Sequence, residues 1–207
     1  MNISQQFAPP FKLVGSFFIS AMIIFFISIL LLFNFDINLI HTQNSLVLSW
    51  VHLYLLGFVM MSIFASMAQL LPVVLEVEHF SIDLYYVVNP LLFMGTTLIF
   101  IGFYKYPMVL SYGGVIVFIS FFIFLFESFL TIKKLKKLNF LSSTVVVANL
   151  FLFSGLVVAI LLSFVYSGVL FLNIKALMLS HIYLVFVGYL GITIISMSYI
   201  LIPMFWL

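Results

Sequence analysis

Two histidines, His52 and His181, stand inside long apolar runs, in segments that read as imperfect copies of one another. The first runs Trp50-Val51-His52-Leu53-Tyr54-Leu55 and closes on Met67-Ala68-Gln69-Leu70-Leu71-Pro72. The second runs Leu179-Ser180-His181-Ile182-Tyr183-Leu184 and closes on Met197-Ser198-Tyr199-Ile200-Leu201-Ile202-Pro203. An imidazole in hydrocarbon is costly unless it has a partner or a task, and a neutral imidazole is a strong ligand for haem iron or another transition metal. Two of them on facing helices would hold one six-coordinate b-type haem in an apolar slot. In a regular helix Gly188, seven residues past His181, lies on the same face two turns deeper, where a missing side chain would admit a flat ring. Gly57, five residues past His52, falls on a different face. Copper or zinc without a porphyrin would want more than two ligands, and His41 in the preceding loop is the nearest third. The cofactor-free reading has each histidine bonded to a backbone carbonyl or a serine of a neighbouring helix.

The elements that must position these residues follow from composition. With 66% hydrophobic and 6% charged residues in 207, the chain has too much apolar side chain for a soluble globule to hide. It is expected to be a single all-α domain over 1–207, an integral membrane bundle. A bilayer core about 30 Å thick needs roughly 20 apolar residues per helix. Charge and turn signals cut the chain into six such stretches, at about 11–33, 46–74, 86–104, 108–132, 143–170 and 176–205. Barrel strands would alternate apolar and polar residues, and runs such as Met22 to Phe33 do not. The first run is too long for a signal peptide and lacks a small-residue cleavage site, so it is expected to stay as a helix. The copies make helices 1–2 and 5–6 a weak internal repeat. An even number of intervening crossings makes the copies parallel.

All seven basic residues are lysines. Lys12, Lys133, Lys134, Lys136 and Lys137 gather at one face and Lys105 and Lys175 at the other, so the positive-inside rule puts both termini in the cytoplasm, in a bacterial inner membrane. His52 and His181 then enter from the outer face at similar depth, each about six residues in, roughly 9 Å along the axis. The lysine run is read as a topology signal with some attraction to anionic lipid, and the expected partners are the bilayer and a second copy or a respiratory-complex subunit, not nucleic acid. Zero cysteines exclude disulfides, thiolate metal sites, iron–sulfur clusters and covalently attached haem.

The stretch Ser49-Trp50-Val51-His52-Leu53-Tyr54-Leu55-Leu56-Gly57-Phe58, closed by Gln69-Leu70-Leu71-Pro72, and the second copy through Ile202-Pro203-Met204-Phe205, resemble the histidine helices of haem-copper oxidase subunit I. They are also similar to the NnrS-like membrane proteins, a haem- and copper-containing group linked to nitric oxide metabolism. The resemblance implies a low-spin haem held near the outer face by His52 and His181, in respiratory electron transfer or diatomic-gas handling. Two departures set its limits. An oxidase core has about twice as many helices and further histidines for copper beside a second haem, so this chain is not expected to reduce oxygen alone. It also has no arginine to neutralise haem propionates, leaving Lys175, Trp50, His41 or tyrosine hydroxyls at the rim. The opposing expectation is a cofactor-free accessory or transport subunit, or a copper transporter.

The remaining polar residues have plainer readings. Glu127 is the one carboxylate inside a helix, about two turns from Lys133, and is expected to reach water or lysine, with proton transfer as the alternative. His79, with Glu76, Glu78 and Asp83, is expected to be solvated in a polar loop rather than to bind metal. Asn89-Pro90 suits a helix start, and Gln69 is placed to bridge a carbonyl freed by Pro72. No nucleophile with a base, phosphate loop or paired carboxylates at helical spacing is present, so no catalytic residue is assigned.

Overall fold

Every candidate membrane span of the sequence is a helix in the computed structural model, which describes residues 7–36 and 44–206. The helices are α1 (Phe11–Leu32), α2 (Ser45–Leu75), α3 (Asp83–Tyr104), α4 (Val109–Ile132), α5 (Phe140–Tyr166) and α6 (174–205). All six are long and apolar enough to cross a bilayer, and no strand occurs among the described residues. The protein is an all-α, six-span integral membrane bundle.

Asparagine sets three of the starts. The Asn44 side chain accepts from Leu46 N at 2.9 Å, and Asn173 accepts from Ala176 N at 3.2 Å. Asn139 accepts from Ser142 N while Ser142 Oγ accepts from Asn139 N, both at 2.8 Å, a reciprocal cap that satisfies two otherwise orphaned donors. The fifth helix therefore begins at Phe140 rather than near 143. It also ends earlier than expected, at Tyr166, just before Gly168 takes a left-handed φ of 79°.

Helix α3 departs from expectation more instructively. It begins at Asp83, and Asn89-Pro90 lies inside it. Proline leaves one carbonyl of the previous turn without its usual donor, yet a membrane helix packed among others tolerates this. Asn89 is not a cap; its Nδ2 donates to Ser16 Oγ of α1 at 3.2 Å, tying α3 to α1.

The helices pack chiefly on their neighbours in sequence. Helix α1 packs on α2 and α3, α2 on α3, α3 on α4, α4 on α5, and α5 on α6. The α3–α4 interface is closest because glycines let the backbones meet: a Cβ on Gly113 would come within 2.9 Å of Ile99 N, the small-residue packing expected where lipid supplies no hydrophobic drive between helices. Between α2 and α6 there is no extensive interface among the described residues. The core at the lysine-rich end is filled by Phe17, Phe64, Leu71, Tyr85 and Phe124, whereas outward faces such as Ile19, Met22 and Phe26 of α1 stay exposed, as lipid-facing surface must.

Both histidine helices share an internal order. In α2 an α-helical segment Ser45–His52 passes into a π-helix Leu53–Met60 and back to α-helix Met61–Leu75; in α6, Ile174–Ile182 passes into a π-helix Tyr183–Gly191 and then Ile192–Phe205. Each last segment holds one proline, Pro72 or Pro203. The parallel resemblance between the two sequences thus extends to backbone conformation, and π turns are uncommon enough, and common enough at functional sites, to mark both positions.

Candidate functional site: a histidine-lined cleft between non-adjacent helices

His52 is the last residue of the first α-helical segment of α2, and His181 the penultimate residue of the corresponding segment of α6. Their side chains line one partly open cleft of about 310 Å³ bounded by α2 to α6. The polar side chains in its lining are His52, His181, Ser163 and Tyr166, and the rest is aliphatic, aromatic or thioether. Ser163 is committed to the Ile160 carbonyl at 2.7 Å. The Tyr166 hydroxyl is buried without a hydrogen-bond partner.

Both imidazoles are anchored through the same atom. His52 Nδ1 lies 2.8 Å from Leu48 O, one turn back in its own helix. His181 Nδ1 lies 3.1 Å from Gly155 O of α5. A carbonyl can only accept, so each Nδ1 carries the proton and each neutral ring keeps the Nε2 lone pair. No protein donor to either Nε2 is found among the described residues. A ring oriented through one nitrogen by a backbone carbonyl, with the other free, is the usual arrangement of a metal-ligating histidine. His52 is further braced by Phe103, at a ring-centroid distance of 4.9 Å, and Phe103 meets Tyr166 edge-on at 5.3 Å.

Gly188 is not part of this cleft. A Cβ there would lie 2.5 Å from Phe151 Cγ, so the space beside it belongs to an α5 side chain and not to a flat ligand. The reason is the π-helix over Tyr183–Gly191: it wraps more residues into each turn than an α-helix does, and the seven-residue spacing no longer returns to the face of His181.

Other rim candidates are also accounted for. Trp50 Nε1 donates to the Ser28 carbonyl at 3.1 Å and its ring stacks on Tyr54, so it fastens α2 to α1. His41 lies outside the described residues. Lys175 is in the exposed first turn of α6, and Lys105 stands over the Tyr106 ring.

At the opposite, lysine-rich end the structure assembles a second polar group whose parts read separately in the sequence. Glu127 is fully buried, not solvated, and His79 is its partner: Nδ1 is 2.8 Å from Glu127 Oε1 and Nε2 is 2.7 Å from the Ala68 carbonyl. Oε1 also accepts from Thr131 Oγ1 at 2.6 Å and from Phe80 N at 3.2 Å. The Ala68 carbonyl can only accept, so Nε2 carries a proton, and Nδ1 shares one with the Glu127 carboxyl. Lys134 Nζ donates to the Glu78 and His79 carbonyls at 3.1 and 2.8 Å, closing the 76–82 loop over the pair. His79 is therefore neither solvated nor grouped with Glu76, Glu78 and Asp83. Gln69, expected to serve the carbonyl freed by Pro72, is exposed; His79 serves it instead.

Among the described residues no group of three or more His, Asp or Glu side chains is placed to hold a metal ion. The chain matches no known protein-family model, no curated protein and no solved structure.

Proposed function

We propose that the protein binds one b-type haem through His52 and His181 and serves in electron transfer within the membrane. The observation that carries this reading is that two histidines from helices without an extensive mutual interface enter one apolar cleft, each with Nδ1 committed to a backbone carbonyl.

The residues present fit such a group in their donor chemistry. Two neutral imidazoles are an incomplete set for bare copper or zinc, but they complete the coordination of an iron that already has a porphyrin's nitrogens. The cleft volume of about 310 Å³ is at the lower end for small-molecule sites, and its lining is almost wholly apolar. A haem would supply one-electron chemistry. The chain's part is to orient the two rings, keep both Nε2 atoms unprotonated and hold the site dry. His52 and His181 would hold the haem between them, and the chemistry it would supply there is electron transfer rather than capture of nitric oxide or oxygen. The basic residues at this end of the bundle are Lys105 and Lys175, the cations nearest in sequence to serve haem carboxylates.

Lysine placement supports cytoplasmic termini, in a bacterial inner membrane, with the histidine cleft toward the outer leaflet. The exposed apolar faces of the bundle leave room for a second copy or a respiratory subunit as neighbour.

The test is a reduced-minus-oxidised absorption spectrum of protein purified from haem-replete cells, with His52→Ala and His181→Ala in parallel. Sharp b-type bands that collapse in either variant support a shared bis-histidine haem. A colourless native protein would sink it and leave a cofactor-free subunit, in which the two Nδ1 bonds already satisfy the rings' donors.

A further inference from the structure

The Glu127 carboxylate is lopsided. Oε1 takes three donors, from His79, Phe80 and Thr131, while Oε2 is buried with none. The Tyr85 hydroxyl of α3 lies beside the carboxylate, close enough to interact with it, but makes no hydrogen bond of standard geometry. Beyond it, within electrostatic reach, is Tyr189 of α6, whose hydroxyl is likewise buried and unpartnered. Glu127 Oε2 and the two tyrosine hydroxyls are thus buried and under-bonded, in an interior that normally satisfies such atoms.

Their position gives the cluster a direction. Along α4, Leu110, Gly114, Val117 and Phe121 line the histidine cleft, Phe124 packs edge-on against Tyr85, and Glu127 follows one turn later. Tyr189 precedes Leu190, itself part of the cleft wall. The polar cluster thus lies between the cleft and the lysine-rich face, and His79, with a side chain 6% exposed, is its outermost member.

We propose that Glu127 is a proton-binding site, loaded from the lysine-rich face through His79 and facing inward to Tyr85 and Tyr189. The step is a single proton transfer. The Nδ1 proton of His79 moves to Glu127, the carboxyl turns to present its O–H to the Tyr85 oxygen, and His79 regains a proton from water. One proton is taken up, a carboxylate becomes a carboxylic acid, and no electron moves. The groups facing Glu127 are consistent with a site that changes charge. The 76–82 loop brings His79, α3 brings Tyr85, and α6 brings Tyr189 behind it. Helix α2 brings the apolar Phe64, Ala68 and Leu71, α5 the uncharged amide of Asn149, bonded to Ser128, and Lys134 bonds only loop carbonyls.

The experiment is infrared difference spectroscopy of the full chain in lipid nanodiscs between neutral and acidic pH. The native protein should gain the C=O stretch of a protonated carboxylic acid; Glu127→Gln should lose that band, and Tyr85→Phe should shift it by removing its neighbour. Should Glu127→Gln fail to fold, Glu127→Asp should move the band rather than abolish it. A native protein that gains no band sensitive to Glu127 while still folded, or a band unmoved by Tyr85→Phe, would overturn the proposal. The readout does not depend on haem, so visible absorption of the same sample judges the histidine cleft separately.

Discussion

His79 Nε2 donates to the Ala68 carbonyl at 2.7 Å, the carbonyl that Pro72, four residues on and without an N–H, leaves unclaimed by the helix. A loop imidazole thus repairs the gap a proline opens in α2, and its other nitrogen hydrogen-bonds the buried Glu127 at 2.8 Å. One side chain settles two liabilities that would each be expensive in a membrane.

Removing it should therefore be costly. His79→Ala leaves the buried Glu127 without its partner, for which losses of about 3–5 kcal/mol are usual where the two form an ion pair. Thermal unfolding in detergent should show a large fall in Tm. In a Pro72→Ala background, where residue 72 supplies an N–H to Ala68, the loss should shrink by about 0.6 kcal/mol, the average for interhelical hydrogen bonds in membranes. An unchanged cost in that background would show that His79 acts through Glu127 alone.

Gly188→Ala should destabilise the α5–α6 contact by roughly 1–3 kcal/mol, since the new methyl would meet the inner atoms of Phe151 and overpacked interiors cost that much. Phe151→Ala should recover most of the loss. If Gly188→Ala is neutral in stability yet abolishes haem bands, the glycine lies against the cofactor after all.

Tyr166→Phe removes a buried hydroxyl that bonds to nothing. Deleting an unsatisfied polar atom should leave stability equal or raise it by about 1 kcal/mol, measurable as Tm. A clear loss of stability would mean that the hydroxyl has a partner, such as a bound molecule in the cleft, and that loss should then vanish in protein stripped of it.

The π segments make a geometric prediction. Deleting one residue within Leu53–Met60 should let the segment relax toward an α-helix, and because π turns hold more residues than α turns the deletion is only partly absorbed, turning His52 by a few tens of degrees relative to Pro72. If His52 and His181 hold a haem as proposed, far-ultraviolet circular dichroism should remain helical while the haem spectrum is lost. A retained bis-histidine spectrum would show that the π turns do not aim His52.

Solvent, fold class and the number of spans were legible in the sequence, because insertion in lipid is close to a sum over residues: long apolar runs, broken by Asn34 to Asn44, Glu76 to Asp83 and the lysines of 133–137, can satisfy their backbones only as helices. Most helix ends were legible to within a few residues from the polar breaks, while the caps made by Asn44, Asn139 and Asn173 set the exact starts and brought the fifth helix forward to Phe140. That His52 and His181 share a cleft was foreseeable from matched depth on parallel helices. Only the tertiary structure decided the rest. Local α-helical periodicity placed Gly188 beneath His181, but the π turns broke that register and gave the space to Phe151. Asn89-Pro90 carried a start signal, yet packing against Ser16 kept the helix going. His79 and Glu127, 48 residues apart, looked like a loop histidine and a rim carboxylate; each is costly to bury alone, and burial becomes tolerable only when the fold brings them together.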